Sequence, residues 1–224
     1  MSPAGADCKV LVFAKAPLPG KVKSRLIPVL GAERAALLHC RLTEQALTTA
    51  LAADLGPVEL WCAPDTHHPF FRACRGKFGV TLHEQAHGDL GVRMLGAAQQ
   101  TLASFKQMLL VGADCPLLQA EDLREAGRAL VSGNDAVLGP AEDGGYVLLG
   151  LCRSDPALFR DIEWGTCKVL DATRARLGAL GWRWHELHSH WDIDRPEDYR
   201  RMLESHCLSG WEAADAEDNF IAGS

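Results

Sequence analysis

No apolar run in this sequence reaches the roughly 18–20 residues needed to cross a bilayer, so no membrane-spanning helix is expected. Met1 to Asp7 lacks both a charged leader and a long apolar segment, and no signal peptide is read there. Cysteines are present at 8, 40, 62, 74, 115, 152, 167 and 207, yet none forms a Cys-x-x-Cys pair. A disulfide framework is not expected at this length and spacing; most of these thiols read as buried and free. No strand-like run is followed by Gly-x-Gly-x-x-Gly, which disfavours a dinucleotide fold of that type. An excess of positive charge is also missing. The net charge is −6 and the pI about 5.8, so no global field would attract a nucleic acid. These absences leave a soluble cytoplasmic protein as the expectation. At 224 residues it is long enough to bury a substantial core.

Against that acidic background, one stretch is basic. Phe13-Ala-Lys-Ala-Pro-Leu-Pro-Gly-Lys-Val-Lys-Ser-Arg-Leu26 carries Lys15, Lys21, Lys23 and Arg25 with no acid among them. It follows Val10-Leu11-Val12-Phe13, an apolar run of buried-strand type. Ligands of open α/β folds bind beyond the carboxyl ends of the strands. Four neighbouring cations repel one another unless an anion collects them, so a phosphate-bearing ligand is expected here. Gly20-Lys21 is not a P-loop: Val22 stands where a Ser or Thr should hold magnesium, and the earlier glycine is missing. Pro17, Pro19 and Pro28 keep the loop extended.

The rest of the chain alternates strands and helices. Strands are expected at 58–62, 79–83, 107–111, 135–139, 146–151 and 182–187. Helices are expected at 32–55, up to 104 from the turn at 85–91, and at 121–131, 168–180 and 196–206. Leu38, Leu42, Ala46 and Ala50 recur at helical spacing before Gly56-Pro57, and Pro196 suits a first helical turn. Such alternation implies one α/β domain, three-layered α/β/α, with a mostly parallel sheet covered on both faces. The domain is placed at 8–206. The remainder, 207–224, reads as a short, acidic, loosely ordered tail.

Two acidic segments complement the basic loop. Met108 to Val111 should deliver Asp114 of Gly112-Ala-Asp-Cys-Pro116 to a strand's carboxyl end, suited to a divalent cation bridging phosphates; a turn-capping Asp is the plain alternative. In Trp191-Asp-Ile-Asp194, Asp192 and Asp194 alternate and would share one side of an extended segment. One of them could complete a two-carboxylate site, although Asp194 could equally cap the helix at Pro196.

Taken in order, these segments resemble the nucleotide-diphospho-sugar transferase (GT-A-type) superfamily. Within it, the resemblance is to the DUF2064 family, related to guanylyltransferases of cofactor F420 and molybdopterin biosynthesis. It is carried by Phe13 to Leu26, Gly88-Asp-Leu-Gly-Val-Arg-Met94, Gly112 to Pro116, Gly139-Pro-Ala-Glu-Asp-Gly-Gly-Tyr146, Trp164-Gly-Thr166 and Asp192 to Asp198. The resemblance implies nucleotide binding by Ala14, Lys15, Lys21, Lys23, Arg25, Asp89, Arg93 and Asp114. It implies an acceptor side at Asp143, Gly144 and Gly145, although Asp143-Gly-Gly is also a plain hairpin turn. Asp114 and Asp194, with Asp192 less directly, would hold Mg2+ or Mn2+. In place of a glycine-rich Ala-Gly-Gly loop this chain has Ala-Lys-Ala-Pro, which shifts phosphate binding from backbone to side-chain cations.

The implied activity is a transferase with two versions. In a glycosyltransferase, an acceptor hydroxyl displaces a nucleoside diphosphate from a nucleotide sugar, with Asp143 as candidate base and Lys23 and Arg25 countering leaving-group charge. In a nucleotidyltransferase, a phosphorylated small-molecule acceptor attacks a nucleoside triphosphate and releases pyrophosphate. The first is the leading expectation. A non-catalytic nucleotide-binding regulatory module is the alternative of another class. Oligomeric state is left open, a homodimer included. His185, His188 and His190 show no third ligand at a usual spacing and read as surface or satisfied histidines. Cys115 reads as packing rather than nucleophile.

Overall fold

The computed structural model describes residues 7–208 and 211. Seven strands form one sheet: β1 (Cys8–Lys15), β2 (Val58–Ala63), β3 (Thr81–Glu84), β4 (Gln107–Gly112), β5 (Ala136–Pro140), β6 (Tyr146–Leu151) and β7 (Trp184–Glu186). The helices are α1 (Ile27–Leu30), α2 (Ala32–Ala53), α3 (Pro69–Phe78), α4 (Leu90–Leu102), α5 (Ala120–Val131), α6 (Val169–Ala179) and α7 (Pro196–Ser205). The order across the sheet is β3-β2-β1-β4-β6-β5-β7. Only β6 runs antiparallel to its neighbours; the other pairings are parallel.

The burial of β1 follows from its position. It lies between β2 and β4, both of its edges are paired, and its residues alternate between two cores. Val10, Val12 and Ala14 pack with α2, α3 and α5, whereas Leu11 and Phe13 pack with α4 and α6. A strand covered on both faces must be apolar throughout, which is why its sequence shows no period of two.

Helix limits have local causes. Asp54 adopts a left-handed conformation after α2 (φ 53°), and Gly79 does so after α3 (φ 69°). The α5 and α7 helices open on acidic caps: Asp122 accepts from the Gln119 N–H and Asp198 from the Arg195 N–H. No helix among the described residues is long and apolar enough to cross a membrane.

A third apolar cluster stands outside the two sheet cores. Leu26, Leu38, Leu42, Trp191, Ile193 and Met202 join Leu208 and Trp211 there. The start of the expected loose tail is therefore packed: Trp211 is 4% exposed and its indole N–H donates to the Tyr199 hydroxyl at 3.1 Å. Its apolar side chains gain more by burial than the chain loses in freedom. The rest of the tail lies outside the described residues.

Candidate functional site

The sheet order reverses direction at β1: β2 and β3 continue to one side, and β4 begins the other. The crevice beyond the carboxyl ends of β1 and β4 is the topological switch point, where open α/β sheets bind ligands. The basic loop leaves β1 there, and Asp114 follows β4.

The four loop cations divide into two pairs. Lys23 is turned inward. Its side chain is 4% exposed, and Nζ lies 2.6 Å from Asp114 Oδ1 and donates to the Ile193 carbonyl at 2.5 Å. To reach them its backbone takes the left-handed region, φ 47°, a costly conformation for a lysine. Arg25 pairs with Asp194. Lys15 and Lys21 are exposed, and among the described residues no carboxylate engages them. Ala14 is buried in β1, and its carbonyl accepts from the Gln85 amide at 3.3 Å.

Asp114 is an ionised anchor. Its Oδ1 is buried, although the side chain as a whole is about half exposed. Burial opposes ionisation, but Lys23 and His39 outweigh it and hold the carboxyl well below the usual range. The His39 Nδ1 lies 3.8 Å from Oδ1, and its Nε2 is 2.9 Å from the Lys15 carbonyl. This buried histidine on α2 escaped the sequence reading. The signal was a polar residue beside Leu38 and Leu42 on the apolar face.

Asp192 behaves oppositely: it is pushed up to about 6, first by burial and then by the charges of Asp143 and Asp114, with Lys23 pulling the other way. Trp191 and Ile193, both buried, fix the intervening residue toward this acidic group, and the Ile193 N–H donates to the Asp114 carbonyl at 3.0 Å. Asp192 and Asp194, expected to share one side, thus meet different partners. Capping of α7 falls to Asp198, which accepts from the Asp194 and Arg195 amides.

Asp143 lies in the turn joining β5 to β6 and accepts from the Gly145 N–H at 2.8 Å. Gly144 has φ 87° and touches the backbone of Cys167, and a Cβ there would sit 2.2 Å from the Cys167 oxygen. Its carbonyl accepts from the Leu170 N–H at 2.8 Å, so the turn is clamped to the start of α6. On its other side, Glu142 receives two bonds from Arg201 of α7, at 2.7 and 3.2 Å.

Asp89 and Arg93 hold the start of α4. The Asp89 carboxylate accepts from the Val92 N–H at 2.9 Å, and Arg93 Nε donates to the Gly88 carbonyl at 2.9 Å. Trp164 packs on Gly91, where a Cβ would come within 2.7 Å of its indole nitrogen. Cys115 is 6% exposed, and burial foremost pushes its thiol up to about 12, unsuited to nucleophilic attack.

The sequence profile of DUF2064, described as an uncharacterized protein conserved in bacteria, matches residues 46–166, more than half of the chain. The chain belongs to this family. A solved structure from Desulfovibrio desulfuricans G20, provisionally named a nucleotide-diphospho-sugar transferase, is 27% identical. It superimposes with a TM-score of 0.77, covering 98% of this chain and 92% of that one. At 16% identity the fold alone is shared with a nucleotidyl transferase from Methanothermobacter (TM-score 0.62, 91% and 99% covered). The same holds for a Mycobacterium tuberculosis H37Rv protein in complex with manganese (16% identity, TM-score 0.57, 89% and 99% covered). No curated protein matches the chain significantly. The family and the α/β class read from the sequence both hold, with a nucleotide-diphospho-sugar transferase type of fold.

Proposed function

We propose that this DUF2064 protein transfers a sugar from a nucleotide-diphospho-sugar to a small-molecule hydroxyl, with the crevice between β1 and β4 as its active site. The observation that carries the reading is the acidic group of Asp114, Asp192 and Asp143 facing a loop in which Lys15 and Lys21 meet no carboxylate among the described residues.

The donor set fits a hard divalent cation. Oxygen ligands suit Mg2+ or Mn2+. Burial, and after it repulsion from Asp143 and Asp114, pushes Asp192 up to about 6, and positive charge relieves the repulsion. Asp114 and Asp192 would hold the ion; Asp194, paired with Arg25, is left to orient the loop. When bound, the metal supplies electrostatic stabilisation of the leaving diphosphate. The manganese of the Mycobacterium tuberculosis neighbour is consistent with this choice.

The chain's own groups divide the remaining work. Lys15 and Lys21 bind the diphosphate through their exposed ammonium groups. Lys23 fixes Asp114 and, through the Ile193 carbonyl, the segment carrying Asp192; it is a positioning residue. Asp143 takes the proton of the acceptor hydroxyl as its oxygen bonds to the anomeric carbon. The bond from that carbon to the β-phosphate oxygen breaks, and the nucleoside diphosphate leaves with the electron pair.

Charge favours the diphosphate version. A nucleotide sugar carries about two negative charges, and a triphosphate about four, each terminal phosphate contributing nearly two near neutrality. Lys15, Lys21 and a divalent cation bring four positive charges, of which Asp192 and Asp143 offset two; the remainder matches the smaller number, because Lys23 and Arg25 are already paired with Asp114 and Asp194. Nucleotidyl transfer is the second reading, favoured by the fold shared with the Methanothermobacter enzyme.

Thermal-shift titration with Mn2+ and either nucleotide sugars or nucleoside triphosphates separates the two. Stabilisation by nucleotide sugars, with nucleoside diphosphate released on adding hydroxyl acceptors, is expected. Stabilisation by triphosphates alone would overturn the glycosyl version.

A further inference from the structure

Of the three histidines in and after β7, His188 is exposed and His190 is buried. His185 is accounted for by Glu125, whose carboxylate lies 3.0 Å from Nε2. His190 is not. Its side chain is 3% exposed, and Nε2 has no hydrogen-bond partner among the described residues. Its backbone is fixed on both sides: the N–H donates to the Pro140 carbonyl at 2.9 Å, and the carbonyl accepts from the Glu142 N–H at 2.8 Å. The main chain that carries the ring is therefore tied to the β5–β6 turn.

What it faces is Asp122, a buried carboxylate in the first turn of α5. The His190 Nε2 lies 3.5 Å from Asp122 Oδ2, and the His188 Nδ1 lies 3.7 Å from Oδ1. The two rings are 4.2 Å apart, and one donor atom from each of the three residues falls within 4.8 Å of the others. These separations are too long for hydrogen bonds. They are the spacing of atoms sharing a cation: bonds near 2.1 Å to a tetrahedral ion put its ligands about 3.4 Å apart.

We propose that Asp122, His188 and His190 form a second metal site, separate from the Asp114 crevice, that takes a zinc-type divalent cation. Two imidazoles and one carboxylate suit zinc rather than magnesium. Asp122 Oδ2 also accepts from the Gln119 N–H at 2.7 Å, a partner that orients the carboxylate as outer-shell bonds orient metal ligands. His188, exposed on the rim, leaves the fourth position open to solvent. An ion there ties the start of α5 to the segment that runs through His190 into Asp192, so the site is a structural clamp beside the catalytic crevice.

The test uses the full chain and Zn2+ or Co2+ alone. Equilibrium dialysis should find one zinc per chain in wild type, and also in Asp114→Asn, whose crevice is disabled. Because His190 is buried, His188→Ala is the informative variant: it should keep the wild-type circular dichroism yet bind zinc at least about tenfold more weakly. Co2+ should give the strong visible bands of a tetrahedral site in wild type and Asp114→Asn, and lose them in His188→Ala. Equal zinc affinity in wild type and His188→Ala would overturn the proposal, as would loss of binding in Asp114→Asn. Sulfur-to-cobalt charge transfer, which would place the ion on a cysteine, would overturn it as well.

Discussion

At the scale of single residues, Lys21 and Lys23 separate binding from architecture. Both belong to one basic loop, but Lys21 is exposed and Lys23 is inside. Lys21→Ala should leave the melting temperature unchanged and weaken nucleotide-sugar binding about tenfold, roughly 1.4 kcal/mol, as read by calorimetric titration. Lys23→Ala should strand the Asp114 carboxylate and the Ile193 carbonyl. The expected loss is about 2 kcal/mol in urea unfolding, together with weakened Mn2+ binding. Equal stability of the two variants would remove the positioning role of Lys23.

Asp192 adds a pH dependence. Its pKa is raised from 3.8 to about 6 in the folded chain. Between these values the unfolded chain has released a proton that the folded chain keeps, so stability falls as pH rises through that window and levels off above it. In metal-free protein, Asp192→Asn should therefore be more stable than wild type above pH 6, by about 1–2 kcal/mol after allowance for partial exposure. The difference should vanish near pH 4. Added Mn2+ should reverse the order, stabilising wild type but not the variant. Melting curves at the two pH values, with and without metal, check both signs.

At the scale of elements, the β5–β6 turn is the joint of the site. It meets α6 through Gly144 and α7 through Glu142 and Arg201. Gly144→Ala would drive a methyl group into the Cys167 carbonyl from a left-handed backbone. It should cost at least about 2 kcal/mol and displace Asp143 from the acceptor side. The turnover defect should exceed any change in affinity for the nucleotide sugar. The plain hairpin reading and the site reading of Asp143-Gly-Gly are thus compatible: the turn is a hairpin, and its clamping to α6 sets the position of Asp143.

For the whole molecule, the third apolar cluster is what joins the basic loop to the acidic segment. Leu26 closes the loop, Leu38 and Leu42 come from α2, and Trp191 and Ile193 bracket Asp192. The ring of Trp191 is covered in turn by the Arg201 guanidinium, 4.5 Å from its centroid. Ile193→Ala leaves a cavity where the side chain is fully buried and should destabilise by about 2–4 kcal/mol. Because it also frees the segment carrying Asp192, it should lower Mn2+ affinity without touching the ion, which isothermal titration can measure. A loss of stability with unchanged metal affinity would show that Asp192 is not held by this cluster.

The sequence by itself determined most of the elements (the short helices α1 and α3 were not among those expected), their alternation and the ends at which the charged segments stand. Those depend on short-range causes: apolar runs covered on both faces in β1 and β4, helical spacing in α2, and Gly56-Pro57 and Pro196 as stops and starts. Only the tertiary structure decided which charge meets which. The Lys23–Asp114 contact spans 91 positions and that of Arg25 with Asp194 spans 169, so no local pattern could divide the four cations into two buried or paired and two exposed. The same limit hid Asp122 from the histidines 66 and 68 positions away, and His39 from Asp114. Spacing along the chain reports what a segment does alone; a site is made where sheet order and packing bring distant segments to one crevice.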